Sequence, residues 1–295
     1  MGEFPQIFFE PILNEKEGDK IYNLLFTSNS NKDNVMVGFS KREFKNHIGG
    51  SGLKYYLIVM YLRKHLQTFG QISLSLDTLL KECGYATKSH NQLVYSDFRT
   101  ILNEQIINKG FASCDENVLS ISPSKWFTIQ LSEENTLFFT NDNFVNFTVS
   151  EYEKITSIDS KVNRAAIAGV YLFIKQYIMD YGDENPNIPQ ISYPSKQQIK
   201  DGIGISLSTV EKAITVLKNE KLIYVRGDMY IQSPTNKKIF LPTRNVYSLK
   251  EEHLNSDFVL KELSKVYGKP VYNGCEIDGR STYLKKQIGG NHEFK

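Results

Sequence analysis

Between Ser195 and Lys221 the chain reads SKQQIKDGIGISLSTVEKAITVLKNEK, a spacing that leaves few folds open. Ser195 is a good N-cap, since its side-chain oxygen can accept from an orphaned backbone amide, and a short helix over Lys196–Asp201 follows. Gly202-Ile203-Gly204-Ile205 then makes a tight turn, because glycine tolerates crowded or left-handed backbone that larger residues resist. Ser206 caps a longer helix to about Lys221. Ile199, Ile203 and Ile205 supply bracing contacts, and Val210, Ala213, Ile214 and Leu217 form a one-sided apolar stripe continued by Leu222 and Ile223. The opposite side carries Leu207, Ser208, Thr209, Lys212, Thr215 and Lys218. Two helices meeting at a glycine turn, the second with two unlike faces, form a helix-turn-helix.

The flanks extend this unit. An apolar helix over Val162–Tyr181 precedes it. After it come Leu222–Arg226, a Gly227-Asp228 turn, Met229–Gln232, a polar loop Ser233–Lys238, and strands at Ile239–Leu241 and Asn245–Leu249. The same order occurs upstream. A helix apolar on nearly every side runs from Leu53 to about Phe69, followed by a strand at Gln71–Leu74. A second helix runs from Ser75–Asp77 to Cys83-Gly84, and a third from Val94 to Asn108, with an insertion at Thr87–Gln92 between them. A hairpin of Phe111–Cys114 and Val118–Ser122 about Asp115-Glu116-Asn117 follows, with a further strand at Trp126–Leu131.

The expected fold is α+β, mainly helical, with two winged helix-turn-helix domains in tandem. Residues 1–52 are an N-terminal extension, 53–132 the first winged helix and 162–250 the second. Residues 133–161 connect them through strands at Leu137–Thr140 and Phe144–Val149 and a short helix opened by a Ser150-x-x-Glu153 capping box. Residues 251–295 hold a helix, Leu254–Tyr267, and a mobile tail.

Charge is distributed unevenly. Residues 1–159 carry 15 Lys+Arg against 19 Asp+Glu, a balance of −4, whereas 160–249 carry 12 against 7, or +5, and 250–295 carry 8 against 7, or +1. A basic excess confined to the helix-turn-helix suits a polyanionic partner. The N-terminal end of a second helix of this kind enters the DNA major groove, where Ser and Thr bond base edges or phosphates, lysine reaches guanine, and leucine meets a thymine methyl. The candidate contacts are Ser195, Lys196, Ser206, Leu207, Ser208, Thr209, Lys212 and Thr215, with Arg226, Lys237, Lys238 and Arg244 on the wing for backbone or minor groove. In the first unit Lys88, His90 and Arg99 are candidates for a second contact, in acidic surroundings that equally suit dimerisation or protein binding.

Other chemistries lack their residues. Gly49-Gly50-Ser51-Gly52-Leu53-Lys54 misses the spacing of a nucleotide loop, and Gly202-x-Gly204 lacks a third glycine and a preceding strand. The five histidines make no pair at metal spacing, and no HExxH or Gly-x-Ser-x-Gly occurs, so neither enzyme, metal nor cofactor is expected. Cys83, Cys114 and Cys275 form no CxxC pair and fit a reducing cytoplasm. The longest apolar runs, Tyr55–Leu62 and Ala165–Ile174, fall short of the roughly 20 residues of a membrane span.

The segment Ser195–Ile223 resembles the helix-turn-helix of bacterial regulators, GntR-type proteins among them. The layout of 53–249, ending Asn245-Val246-Tyr247-Ser248-Leu249 after a basic wing, is similar to tandem winged-helix replication initiators of Gram-positive plasmids and phages, and to DnaD-type replisome organisers that carry one such domain. The resemblance implies sequence-specific double-stranded DNA binding at repeated origin sites, a homodimer or higher oligomer formed through the first unit, and host replication proteins as partners. Residues 250–295 carry no signature of the organisers' C-terminal domain. A transcriptional regulator of a mobile element and a winged-helix adaptor that binds only protein are the alternatives.

Overall fold

Two segments that are apolar all round become the centre of the molecule. The computed structural model describes residues 35–41, 43–67, 70–87, 92–132, 144–178, 189–237 and 239–274. β1 (Met36–Ser40) comes first, and one helical turn at Gly49–Gly52 leads into α1 (Lys54–Lys64), buried at ten of its eleven positions. β2 (Gln71–Leu74) and α2 (Leu76–Glu82, capped by Ser75) follow. Next come α3 (Gln92–Thr100), which widens into a π-helix over Ile101–Ile107, then β3 (Ala112–Ser113) and β4 (Phe127–Leu131). β5 (Phe144–Thr148) pairs antiparallel with β1, Met36 opposite Thr148, and runs into α4 (Val149–Ser157).

α5 (Arg164–Lys175), buried at ten of twelve positions, opens the second half. After it come α6 (Lys196–Ile203), α7 (Leu207–Asn219), β6 (Tyr224–Arg226), β7 (Met229–Gln232), β8 (Phe240–Pro242), β9 (Val246–Ser248), α8 (Ser256–Tyr267) and β10 (Val271–Asn273). The protein is therefore α+β, and no helix among the described residues is long and apolar enough to cross a membrane.

Strand order repeats between the halves. In the first, β4 lies between β2 and β3, all antiparallel. In the second, β9 pairs with β6 on one side and bridges Ser192, between α5 and α6, on the other. Each half thus runs helix, strand, helix, helix, strand, strand, with the last strand in the middle. The second half adds an arm between β6 and β9: β7 pairs with β8 along one edge and with β10 along the other.

The halves share one hydrophobic core that extends from Val37 to Tyr247. Its seam is the packing of α1 on α5, where Gly169 sits so close that a Cβ there would lie 2.9 Å from the Leu53 methyls. Glu151 ties α4 to α5, with one carboxylate oxygen accepting from the Tyr171 hydroxyl and from Lys175 Nζ (2.5 Å). A second, smaller core gathers Ile191, Met229, Ile231, Val246, Val259, Leu263 and Val271 beneath α8.

Four local expectations change. Val118–Ser122 is a turn, because Val118 and Ile121 both point inward at three-residue spacing and Asn117 O accepts from the amides of Ser120 and Ile121; the partner of β3 is β4. The capping box before α4 is Thr148 with Glu151, each side chain bonding the other's amide, two residues ahead of the expected Ser150 and Glu153. Gly227-Asp228 joins two sheets, since β6 and β7 take different partners. Residues 268–274 are structured, with Gly268 ending α8 in the left-handed conformation (φ 63°) and β10 following. The expected strand at Leu137–Thr140 and the tail beyond 274 lie outside the described residues.

The loop before α1 reaches into the second half. A Cβ at Gly204, the residue that ends α6 with φ 66°, would lie 3.0 Å from Ile48 Cβ and 3.1 Å from Gly49 N. Beside it the buried His47 ring stacks on Tyr55 at 3.7 Å and 5°. Burial, with the nearby Lys109 charge, pushes this histidine down to about 4, so the ring is neutral near pH 7.

Candidate nucleic-acid interface

α6 and α7 take their positions from their caps and their glycines. Ser195 and Gln198 form a reciprocal capping box at the start of α6. Gly202 lies against the Phe173 ring of α5, where a Cβ would come within 2.1 Å of Cε2, and Gly204 closes the helix with its amide on Lys200 O at 2.8 Å. Ser206 then caps α7 by accepting from the Thr209 amide at 3.2 Å. Val210, Ala213, Ile214 and Leu217 are buried, whereas Leu207, Ser208, Lys212, Thr215 and Lys218 are exposed. The groove-facing row read from the sequence therefore stands in solvent, with Thr209 half-buried at its edge.

At the head of α7 three hydroxyls cluster. Ser206 Oγ lies 3.1 Å from Ser208 Oγ and 2.8 Å from Thr209 Oγ1. The Thr215 hydroxyl donates to Glu211 O, one turn back. Glu211 is an acidic member of the exposed row that the sequence reading passed over; it pairs with Lys196 of α6 at 2.8 Å, joining the two helices across the turn. That pairing draws Lys196 towards α7.

The cations beyond α7 separate into two kinds. Lys237 is exposed on the arm and Arg244 is exposed at its base, where Nη1 donates to Gln198 Oε1 at 3.4 Å. Arg226 points elsewhere. Its side chain is 15% exposed and donates to Leu254 O (3.1 Å), to Asn273 Oδ1 and to Asp228 (3.4 Å), fastening β6 to the C-terminal segment. Its geometry is that of a structural brace. Lys238 lies outside the described residues.

The first half presents a different surface. Lys88 and His90 lie outside the described residues, and Arg99 is half-buried with Nη2 donating to Ile121 O at 2.6 Å. The sixth residue of α7 is Lys212, whereas the sixth of α3 is Asp97, which accepts from Ser51 Oγ (3.0 Å) and pairs with Lys54. The head of α3 exposes Leu93 (83%), and the loop before β4 exposes Leu119 and Trp126.

No group of three or more His, Cys, Asp or Glu side chains suited to a metal occurs among the described residues. Burial pushes the Cys83 thiol well up, and the Cys114 thiol is raised by burial with Asp115 and Glu116 nearby, so neither is an activated nucleophile. Neither a protein-family model nor a curated protein matches this chain. Among the described residues the surface offers an exposed face of α7 with short hydroxyls at its head and Lys212 farther along, beside Lys237 on the arm and Arg244 at its base.

Proposed function

We propose that the chain is a sequence-specific double-stranded DNA-binding protein built from two winged helix-turn-helix units, with α7 as its reading helix. One observation carries the proposal: α7 is anchored by a single buried stripe and leaves Leu207, Ser208, Lys212, Thr215 and Lys218 open to solvent. A helix held in this way enters a major groove without rearrangement, its head pointing dipole and hydroxyls at the DNA. Lys237 and Arg244 then face the flanking backbone.

Among the processes such a reader serves, initiation of plasmid or phage replication is the one the paired architecture supports best, with transcriptional regulation of a mobile element as the alternative. The first unit is proposed to bind protein, a second copy or a host replication factor, since Leu93 and Trp126 stand exposed and Asp97 occupies the place of Lys212.

The experiment is selection of a preferred duplex followed by titration against salt. Each phosphate neutralised steepens the dependence of log K on log salt by about 0.9, so Lys196, Lys237 and Arg244 alone give a slope of about −2.7. Lys212→Ala is expected to cost roughly 1–3 kcal/mol on the preferred duplex and little on a scrambled one. A flat salt response, with no preferred duplex, refutes the proposal and leaves the adaptor reading.

A further inference from the structure

We propose that the last turn of α8 and the loop after it form an additional rim for the phosphate backbone of duplex DNA, with Lys265 and Lys269 acting beside Lys237 of the arm. The inference rests on the reading role of α7 argued above and adds residues outside that helix-turn-helix.

Strand register sets the geometry. β10 runs antiparallel to β7 with Val271 opposite Ile231, so the residues just before Val271 are carried to the loop end of the arm. There Lys269 Nζ donates to Gln232 O at 3.3 Å, and Gln232 Nε2 donates to Lys237 O at 2.7 Å. The Lys269 ammonium and the Lys237 backbone are thereby both tied to one glutamine, at the same end of the arm. Lys265 stands one turn earlier on α8, 63% exposed, with its ammonium 2.5 Å from Glu262.

The same turn is tied to the reading unit. The Tyr267 hydroxyl accepts from the Arg244 amide at 3.1 Å, and the Arg244 guanidinium bonds Gln198 at the head of α6. Beneath, Val259 and Leu263 are fully buried against Met229, Ile231 and Val271. The helix that carries Lys265 and the loop that carries Lys269 are held by this packing, so meeting a phosphate orders side chains and not backbone, unlike a lysine on a loose tail.

Lysines at a helix end also complement the negative pole of the helix, a role that leaves DNA binding untouched. The test separates the two roles. In the full chain, the pair Lys265→Gln with Lys269→Gln is compared with Lys265→Arg with Lys269→Arg, by fluorescence anisotropy on preferred and scrambled duplexes across roughly 50–200 mM salt, alongside thermal unfolding. The glutamine pair is expected to weaken binding to both duplexes by the same factor and to flatten the salt slope by about 1–2, while the arginine pair keeps the wild-type slope. A glutamine pair with wild-type affinity and slope overturns the inference, as does a loss of affinity that follows loss of thermal stability and is not restored by arginine. Wild-type protein that binds no duplex instead overturns the reading role of α7, and the rim falls with it.

Discussion

Gly202→Ala tests how α6 is seated, because two opposing effects meet at that residue. Alanine is favoured over glycine inside a helix by about 1 kcal/mol, so on propensity alone the substitution stabilises. The added Cβ, however, would lie 2.1 Å from Phe173 Cε2 and 2.6 Å from Cζ, far inside contact distance. Phe173 has little room to yield: it is 5% exposed, edge-on to Phe44 at 6.0 Å and against Tyr177 at 5.3 Å. Overpacking of this kind costs roughly 1–3 kcal/mol, and so close an approach belongs at the upper end. The net expectation is a destabilisation of about 1–2 kcal/mol, or a fall in Tm of about 2–8 °C, read by calorimetry or urea unfolding. In a Phe173→Leu background the obstructing ring edge is gone, and the same alanine is expected to cost clearly less. A Tm that rises in the wild-type background, or an equal cost in both backgrounds, refutes the argument.

Two further perturbations probe other parts of the molecule. The folded chain holds the His47 ring neutral down to about 4, whereas the unfolded chain protonates it near 6.5, so the unfolded state binds the extra proton between these values and stability rises with pH. That contribution is complete above about 6.5 and declines by about 2 kcal/mol from pH 7 to pH 5. His47→Phe, which keeps a ring against Tyr55, is expected to remove this part of the slope in urea midpoints at the two pH values, and an unchanged slope refutes the assignment. Arg226→Ala strips partners from Leu254 O and Asn273 and is expected to cost roughly 1–3 kcal/mol of stability while leaving the salt slope of DNA binding intact, whereas a shallower slope would place Arg226 on the phosphate backbone after all.

Elements with a strong local signal were legible in the sequence. Caps at Ser75, Ser195 and Ser206 occur where hydroxyls precede apolar periodicity, and the inward stripe of α7 is the one its spacing dictates. What escaped depends on contacts between distant residues. The apolar residues of Val118–Ser122 suggest a strand, yet Val118 and Ile121 are both buried at a three-residue spacing no strand allows, and β3 takes β4 as its partner. Thr148 was hidden as a cap because it ends a strand and starts a helix without a break. Arg226 reads as one more basic wing residue until Asn273, 47 positions later, is brought beside it. Gln198 was within reach, since it stands three residues after Ser195 in the spacing of a capping box; Glu211 and Lys269 had no such marker, and their roles follow from pairings across elements.

The close approach of Leu53 to Gly169 has a mechanical corollary. With the first helix of each half nested in the other, neither half can swivel alone, and a partner that grips one fixes the angle at which the other is offered. A fragment beginning at α5 would bare the flank that α1 now covers and is expected to stick to itself.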